Sequence, residues 1–282
     1  MKPLKQQWIF FLKAFLFTFN FFILILTSVW IIFNCIATDR IDAESFSSAT
    51  SSQSELSAFC SLESCSQSQS SFKSDYHTDD VSPAQNVPII LQNPELPTGC
   101  ESTAASMLLH AYGYQVDKKA FSNALPKAAF ETHNGRLYAS HPDEAFVGNP
   151  NFRYGYGVFA KPIVKTMQYF IDNAGGHHHA KNLTGASEEI VLSYLDRGIP
   201  VCIWGTAGML PVVNTGGWYL KTAGDYTSRY FTWPGNEHCM VLTAYTDINV
   251  TVHDPLKGIK NYDRTVFFQR YAEIGKYAVV LE

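Results

Sequence analysis

Leu96-Pro97-Thr98-Gly99-Cys100-Glu101-Ser102-Thr103-Ala104-Ala105-Ser106-Met107-Leu108-Leu109-His110-Ala111-Tyr112-Gly113 passes from loop to helix within its first residues and carries a cysteine at the passage. Thr98 and Glu101 stand in the S/T-x-x-E spacing of a capping box, which predicts a helix that begins at Thr98. Ala104, Met107, Leu108 and Ala111 recur at helical spacing, an amphipathic stripe, and Gly113 supplies a stop. Cys100 then falls in the first turn, where free backbone N–H groups and the helix dipole favour an anion. That placement is expected to lower the thiol pKa and raise the thiolate fraction, the nucleophilic form. The alternative is a small residue that packs, since free cysteine is among the most buried residue types.

A thiolate nucleophile needs a histidine as acid and base and a third group to orient it. Of the nine histidines, His238 opens Glu237-His238-Cys239-Met240-Val241-Leu242-Thr243-Ala244-Tyr245, a buried-strand pattern that follows the loop Trp233-Pro234-Gly235-Asn236. After the turn Asp247-Ile248-Asn249, the segment Val250-Thr251-Val252-His253-Asp254 reads as the next antiparallel strand. Folding that hairpin returns Asp254, sixteen residues after His238, to the same end of the sheet, where its carboxylate can fix the imidazole tautomer. His253 points to the opposite face by strand alternation, and Asp254-Pro255 also fits an ordinary turn start. His110 lies too far along the Cys100 helix to serve, and His133 and His141 fall in loops. Gln92, eight residues before Cys100, is a candidate oxyanion donor together with the Cys100 backbone N–H, or else an ordinary surface glutamine.

Gln92, then Thr-Gly-Cys-Glu-Ser-Thr-Ala-Ala-Ser-Met-Leu-Leu, then Glu-His-Cys-Met-Val-Leu-Thr-Ala-Tyr and His-Asp-Pro-Leu-Lys-Gly resemble the C39-like branch of papain-type cysteine peptidases. That branch is related to the bacteriocin-leader-processing peptidase domains. Gly148-Asn149-Pro150 through Tyr156-Gly157-Val158-Phe159-Ala160-Lys161-Pro162 is similar to the same family, and the resemblance runs from about Val87 to the C-terminus. It implies Cys100 as nucleophile, His238 as acid and base, Asp254 as orienting group and Gln92 as oxyanion donor. It implies no metal and no organic cofactor. The Gln-to-Cys gap is longer than in papain-like sites, and the chain carries no Gly-x-x-x-x-Gly-Lys-Ser/Thr phosphate loop, so the resemblance bears on fold and chemistry rather than on one substrate.

Composition divides the 282 residues into three parts. In 1–40, Lys2, Lys5 and Lys13 precede an uncharged stretch over 14–38 rich in Phe, Leu, Ile and Trp, long enough to span a bilayer. Basic residues before it and Asp39, Asp42 and Glu44 after it predict a signal anchor with its N-terminus inside and the bulk of the chain outside; a cleaved signal peptide is the alternative. In 41–86, fourteen of the thirty residues from Ser45 to Ser74 are serine, too polar to offset ordering entropy, so a flexible linker is expected. Cys60 and Cys65 within it permit a small disulfide loop or two free thiols. The remaining 87–282 is enough for one core.

Within that part, helix signals fall at 117–125, 162–173, 187–197 and 265–274, and strand signals at 200–204, 238–245, 250–253 and 277–281. Helices first and antiparallel strands later make an α+β domain, the papain-like arrangement that the resemblance implies. His177-His178-His179 follows Gly175-Gly176 and reads as an exposed loop rather than a metal site; Cys202 and Cys239 lie inside apolar strands. Tyr154-Gly155-Tyr156-Gly157 fits either a cleft lining or turn punctuation. A net charge of −4 and no Lys/Arg cluster in the soluble part argue against a nucleic-acid binder. The expectation is therefore a membrane-anchored extracytoplasmic cysteine peptidase acting on a peptide or protein substrate. Alternatives are a peptide-binding module of the same fold, or a cysteine-dependent acyltransferase; oligomeric state is not legible.

Overall fold

The computed structural model describes residues 82–282. The anchor expected in 1–40 and all but the last residues of the linker expected in 41–86 lie outside them. Among the described residues no helix is long and apolar enough to cross a membrane. Pro83–Gln85 form a short 3-10 turn, fastened by the Ala84 N–H to the Gly198 carbonyl at 3.0 Å.

Five helices follow: α1 Cys100–Ala111, α2 Lys118–Ala124, α3 Ala160–Asn173, α4 Glu188–Leu195 and α5 Arg264–Ile274. The polar residue ahead of three of them acts as a cap. Asp117 accepts from the Lys119 and Ala120 N–H groups, Ser187 from Ile190 and Asp263 from Val266. Twelve strands complete the described residues. The first four are β1 Lys127–Ala128, β2 Glu131–His133, β3 Arg136–Ala139 and β4 Phe146–Val147. The next four are β5 Ala180–Asn182, β6 Val201–Thr206, β7 Asn214–Thr222 and β8 Asp225–Pro234. The last are β9 Glu237–Tyr245, β10 Asn249–Asp254, β11 Gly258–Asp263 and β12 Ala278–Leu281.

The main sheet has six strands in the order β11-β10-β9-β6-β12-β5, antiparallel throughout. Its central strands are covered on both sides, which is why β6 is buried at every position and reads as an unbroken apolar run. Period-2 alternation sorts the side chains. Cys202, Trp204, Cys239 and Val241 join the core around α1 and α3, whereas Val201, Ile203, Met240 and Leu242 join a second core with α4 and α5. Helix α1 is buried at every residue except His110 and therefore has no solvent face, unlike the amphipathic helix expected. Its polar residues survive burial by bonding back along the helix, Thr103 Oγ1 to the Gly99 carbonyl at 2.9 Å and Ser106 Oγ to the Ser102 carbonyl at 3.0 Å.

A second sheet, β2-β3-β7-β8, was not legible in the sequence. Its longest strands, Asn-Thr-Gly-Gly-Trp-Tyr-Leu-Lys-Thr and Asp-Tyr-Thr-Ser-Arg-Tyr-Phe-Thr-Trp-Pro, are largely exposed and carry no apolar run. They are held by cross-strand pairs such as Trp218 with Phe231 and Tyr219 with Tyr230. The architecture is α+β, as expected, with two more sheets than expected, this one and the short parallel pair β1-β4.

Trp204 ties the main sheet to the loop before α3: its indole N–H donates to the buried Val158 carbonyl at 3.1 Å. Trp204→Phe keeps most of the apolar bulk but strands that carbonyl, so urea unfolding should show a loss of about 1–3 kcal/mol. An unchanged midpoint would contradict this account of the junction.

Candidate active site

Cys100 is the first residue of α1 and 7% exposed. The capping box expected around it does not form. Gly99 is the N-cap, and no side chain caps the helix. Thr98 gives its hydroxyl to the Phe152 carbonyl at 2.9 Å, and Glu101 turns inward. There Glu101 Oε1 accepts the buried Val158 N–H at 2.8 Å, and Oε2 accepts the Cys100 S–H at 3.3 Å. Gly157 leaves room for this, since a Cβ at that position would lie 2.5 Å from Glu101 Oε1 and 2.7 Å from Trp233 Cη2.

His238 is the second residue of β9, opposite Gly205 of β6. Its Nε2 lies 2.7 Å from Oδ1 of Asp254, the last residue of β10, and both side chains are buried. The same oxygen accepts the Leu256 N–H at 2.7 Å. Burial pushes the Asp254 carboxyl up, but the His238 hydrogen bond and charge and the Leu256 N–H outweigh it and hold the group below its ordinary value. With Nε2–H given to Asp254, the neutral ring carries its lone pair on Nδ1.

Gln92 is 2% exposed, not a surface residue. One amide hydrogen goes to the Pro97 carbonyl at 3.0 Å, the other has no partner among the described residues, and its backbone N–H bonds the Pro255 carbonyl at 2.8 Å beside Asp254. Lys118 fastens this loop by donating to the Leu91 and Gln92 carbonyls and pairing with Glu95.

Gln92, Cys100 and His238 line one cleft of about 400 Å³, with Tyr156, Trp233 and Glu237 among its other walls. Asp254 stands behind His238 rather than in the cleft. Of the aromatic stretch, Gly155 and Tyr156 line the cleft, whereas Tyr154 is 92% exposed. Among the described residues no hydrogen bond joins Cys100 to His238; the thiol is turned to Glu101.

The electrostatics reverse the expected lowering of the thiol pKa. Burial raises the Cys100 thiol first, the Glu101 and Glu237 carboxyls add to it, and the Cys239 backbone N–H against the sulfur pulls the other way without prevailing. Magnitudes account for the outcome. A helix N-terminus contributes about 0.3–1 kcal/mol to an anion. A carboxylate 3.3 Å from a thiolate opposes it by about 5 kcal/mol even at an effective dielectric of 20. Burial also pushes Glu101 up to about 7, and burial with the Glu101 charge pushes Glu237 well above its ordinary value. Glu101 and Glu237 are the site residues that sequence reasoning passed over. Their signal was present: each directly flanks Cys100 or His238 inside a run that otherwise has no charge.

Cys100, Glu101 and Glu237 bring one sulfur or oxygen atom each within 4.8 Å of one another. Both Glu101 oxygens already accept hydrogen bonds, so this set is balanced by protons more readily than by a cation. Among the described residues no other histidine lines the cleft. His110 bonds the Val116 carbonyl, His133 stacks on Tyr226, His141 takes the Asp143 N–H, and His178 meets the Tyr114 hydroxyl at 2.7 Å. His253 packs against Val87 and Pro88.

A model of the Peptidase_C39 like family matches residues 84–279. The uncharacterized protein YvpB of Bacillus subtilis (strain 168) is 31% identical over 205 residues, which cover 71% of this chain and 76% of the relative. A solved structure of a candidate C39-like peptidase from Bacillus anthracis superposes with a TM-score of 0.62 at 31% identity, covering 72% of this chain and 96% of that one.

The raised Glu101 carboxyl ties stability to pH. Between its ordinary value of 4.5 and about 7 the folded protein holds a proton that the unfolded chain has released, so stability falls as pH rises through that window. Glu101→Gln removes this contribution. Melting temperatures measured across the window should slope downward more steeply for the wild type than for the variant; parallel lines would contradict the assignment.

Proposed function

Because the chain belongs to the Peptidase_C39 like family, we propose that it is a cysteine peptidase that hydrolyses peptide bonds at the cleft of Cys100 and His238. The observation that carries this reading is the convergence of Cys100, His238 and Gln92 on one cleft, with Asp254 locked to His238 at 2.7 Å. In the proposed cycle the Cys100 side chain rotates from Glu101 toward His238, whose Nδ1 takes the thiol proton. The sulfur attacks the peptide carbonyl, and the second Gln92 amide hydrogen and the Cys100 backbone N–H hold the oxyanion. The amine leaves with the proton from His238, giving a thioester. His238 then activates water to release the acid and restore the thiol. Asp254 keeps the imidazole oriented and stabilises its cationic form.

The substrate is a peptide or an extended protein segment, with Tyr156 and Trp233 as apolar walls. The uncharged stretch over 14–38 would hold the enzyme in the membrane with its peptidase domain outside, or would be removed as a signal peptide. The resting thiol's bond to Glu101 favours one further reading, a peptide-binding module in which the thiol never ionises.

In assays of the full chain on a fluorogenic peptide library, Cys100→Ala and His238→Ala should abolish turnover. Asp254→Asn should lower kcat by roughly 10²- to 10⁴-fold and leave a measurable remainder. Full activity in Cys100→Ala would falsify the peptidase reading, whereas peptide binding without cleavage in the wild type would favour the binding module. Removal of residues 1–40 should shift the protein from the membrane fraction to the soluble fraction; an unchanged distribution would defeat the anchor.

A further inference from the structure

Glu101 has a geometry that neither helix capping nor an ion pair accounts for. It is fully buried, and among the described residues no cation is paired with it. One oxygen is fixed by the Val158 N–H, and the other faces the Cys100 sulfur at 3.3 Å. Glu237 approaches from β9, within 4.8 Å of both, and its Oε1 is buried with no hydrogen-bond partner among the described residues. Two carboxyls in that space cannot both be ionised without strong mutual repulsion, and a thiolate would add a third negative charge. A proton shared by the pair relieves the repulsion and satisfies the orphaned oxygen.

Resting on the reading of Cys100 as the reactive thiol, we infer that Glu101 is a further catalytic group: Cys100 becomes a thiolate only while the Glu101 carboxyl carries a proton and donates it, as a hydrogen bond, to the sulfur, with Glu237 as its proton-holding partner. Protons balance within the site. The thiol proton passes to His238 Nδ1, Glu101 keeps its own, and the imidazolium proton later leaves with the amine. When Glu101 loses its proton, the carboxylate instead accepts the S–H, which is the resting arrangement seen. The titratable groups around Glu101 are Cys100 on its own helix and Glu237 and Cys239 on β9; His238 and Arg153 line the same cleft as Cys100, and Asp254 is engaged with His238. Arg153 is exposed at the cleft rim, and no residue described pairs with it, so Glu101 and Glu237 have no cation to compensate them.

The consequence is an inverted pH response. A free thiol grows more reactive as pH rises toward about 8.5. Cys100 should instead lose reactivity as pH rises through the Glu101 carboxyl, which burial has pushed up to about 7. The test uses the full chain and iodoacetamide, with mass spectrometry of the Cys100 peptide to read its alkylation rate from about pH 5 to about pH 9. In the wild type the rate should fall by about threefold or more across the Glu101 titration. Glu101→Gln, whose amide donates to the sulfur at every pH, should abolish the fall and react roughly tenfold faster than wild type at about pH 8. Glu237→Gln should keep the fall at the same pH, since burial rather than Glu237 raises Glu101 and the amide stands in for the protonated Glu237 carboxyl.

A Glu101→Gln profile that overlays the wild type overturns the inference. If that variant fails to fold, Glu237→Gln decides: a fall that disappears there assigns the titration to Glu237 and overturns the inference equally. A purely structural role for Glu101 would change melting temperature and scale all rates together, leaving the shape of the profile intact. Alkylation reads the sulfur without peptide turnover. Absent hydrolysis with this profile intact therefore sinks the peptidase reading alone, and active hydrolysis with an unchanged Glu101→Gln profile sinks this inference alone.

Discussion

Strand β9 is buried on both faces from Cys239 to Leu242, and its pairing with β6 on one side and β10 on the other fixes the direction of every side chain at its entrance. Alternation turns Glu237 to the side of Cys239 and Val241, the side of α1, and turns His238 to the side of Met240 and Leu242. Asp254 lies on the same side of β10 as Val250 and Val252, which belong to the core that holds Met240 and Leu242. His238 and Asp254 therefore meet, and Glu237 is delivered to Glu101 and Cys100. A one-residue slip of β9 would exchange these roles, and the two-sided core forbids it.

The cysteine is set by a different constraint. Helix α1 is buried nearly throughout, so its first residue enters the core as well, and the polar groups beside it must find partners within the protein. Glu101 finds the Val158 N–H, and Val158 is in turn held through its carbonyl by Trp204 of the central sheet. Gly157 admits the carboxyl because it has no Cβ. The site is thus fastened from both layers: α1 supplies sulfur and carboxyl, the sheet supplies imidazole and its carboxylate partner, and Gln92 bridges them through its bond to Pro255.

Local chemistry explains how much of this was legible in the sequence. The elements at 118–124, 188–195 and 264–274 carry their caps beside them, and β6, β9 and β10 carry the apolar patterns of covered strands. The spacing of His238 and Asp254 could be read because a hairpin maps sequence distance onto sheet position. The second sheet could not be read, because exposed strands such as β7 and β8 depend on cross-strand aromatic pairs rather than on a one-sided apolar pattern. The capping box misled for a related reason. Thr98 and Glu101 have the spacing, but each had a stronger partner, the Phe152 carbonyl and the Val158 N–H, more than fifty residues away.

Residue order was therefore sufficient for the α+β class, a helix with the cysteine in its first turn and the pairing of His238 with Asp254, because these follow from periodicity and short-range turn geometry. The charge state around Cys100 was beyond it. The helix dipole, a local effect, argues for a thiolate, while the carboxyls of Glu101 and Glu237, 136 positions apart in the chain, argue more strongly against one. Coulomb interactions depend on distance in space and on burial, and both came into being only when α1 packed against β9.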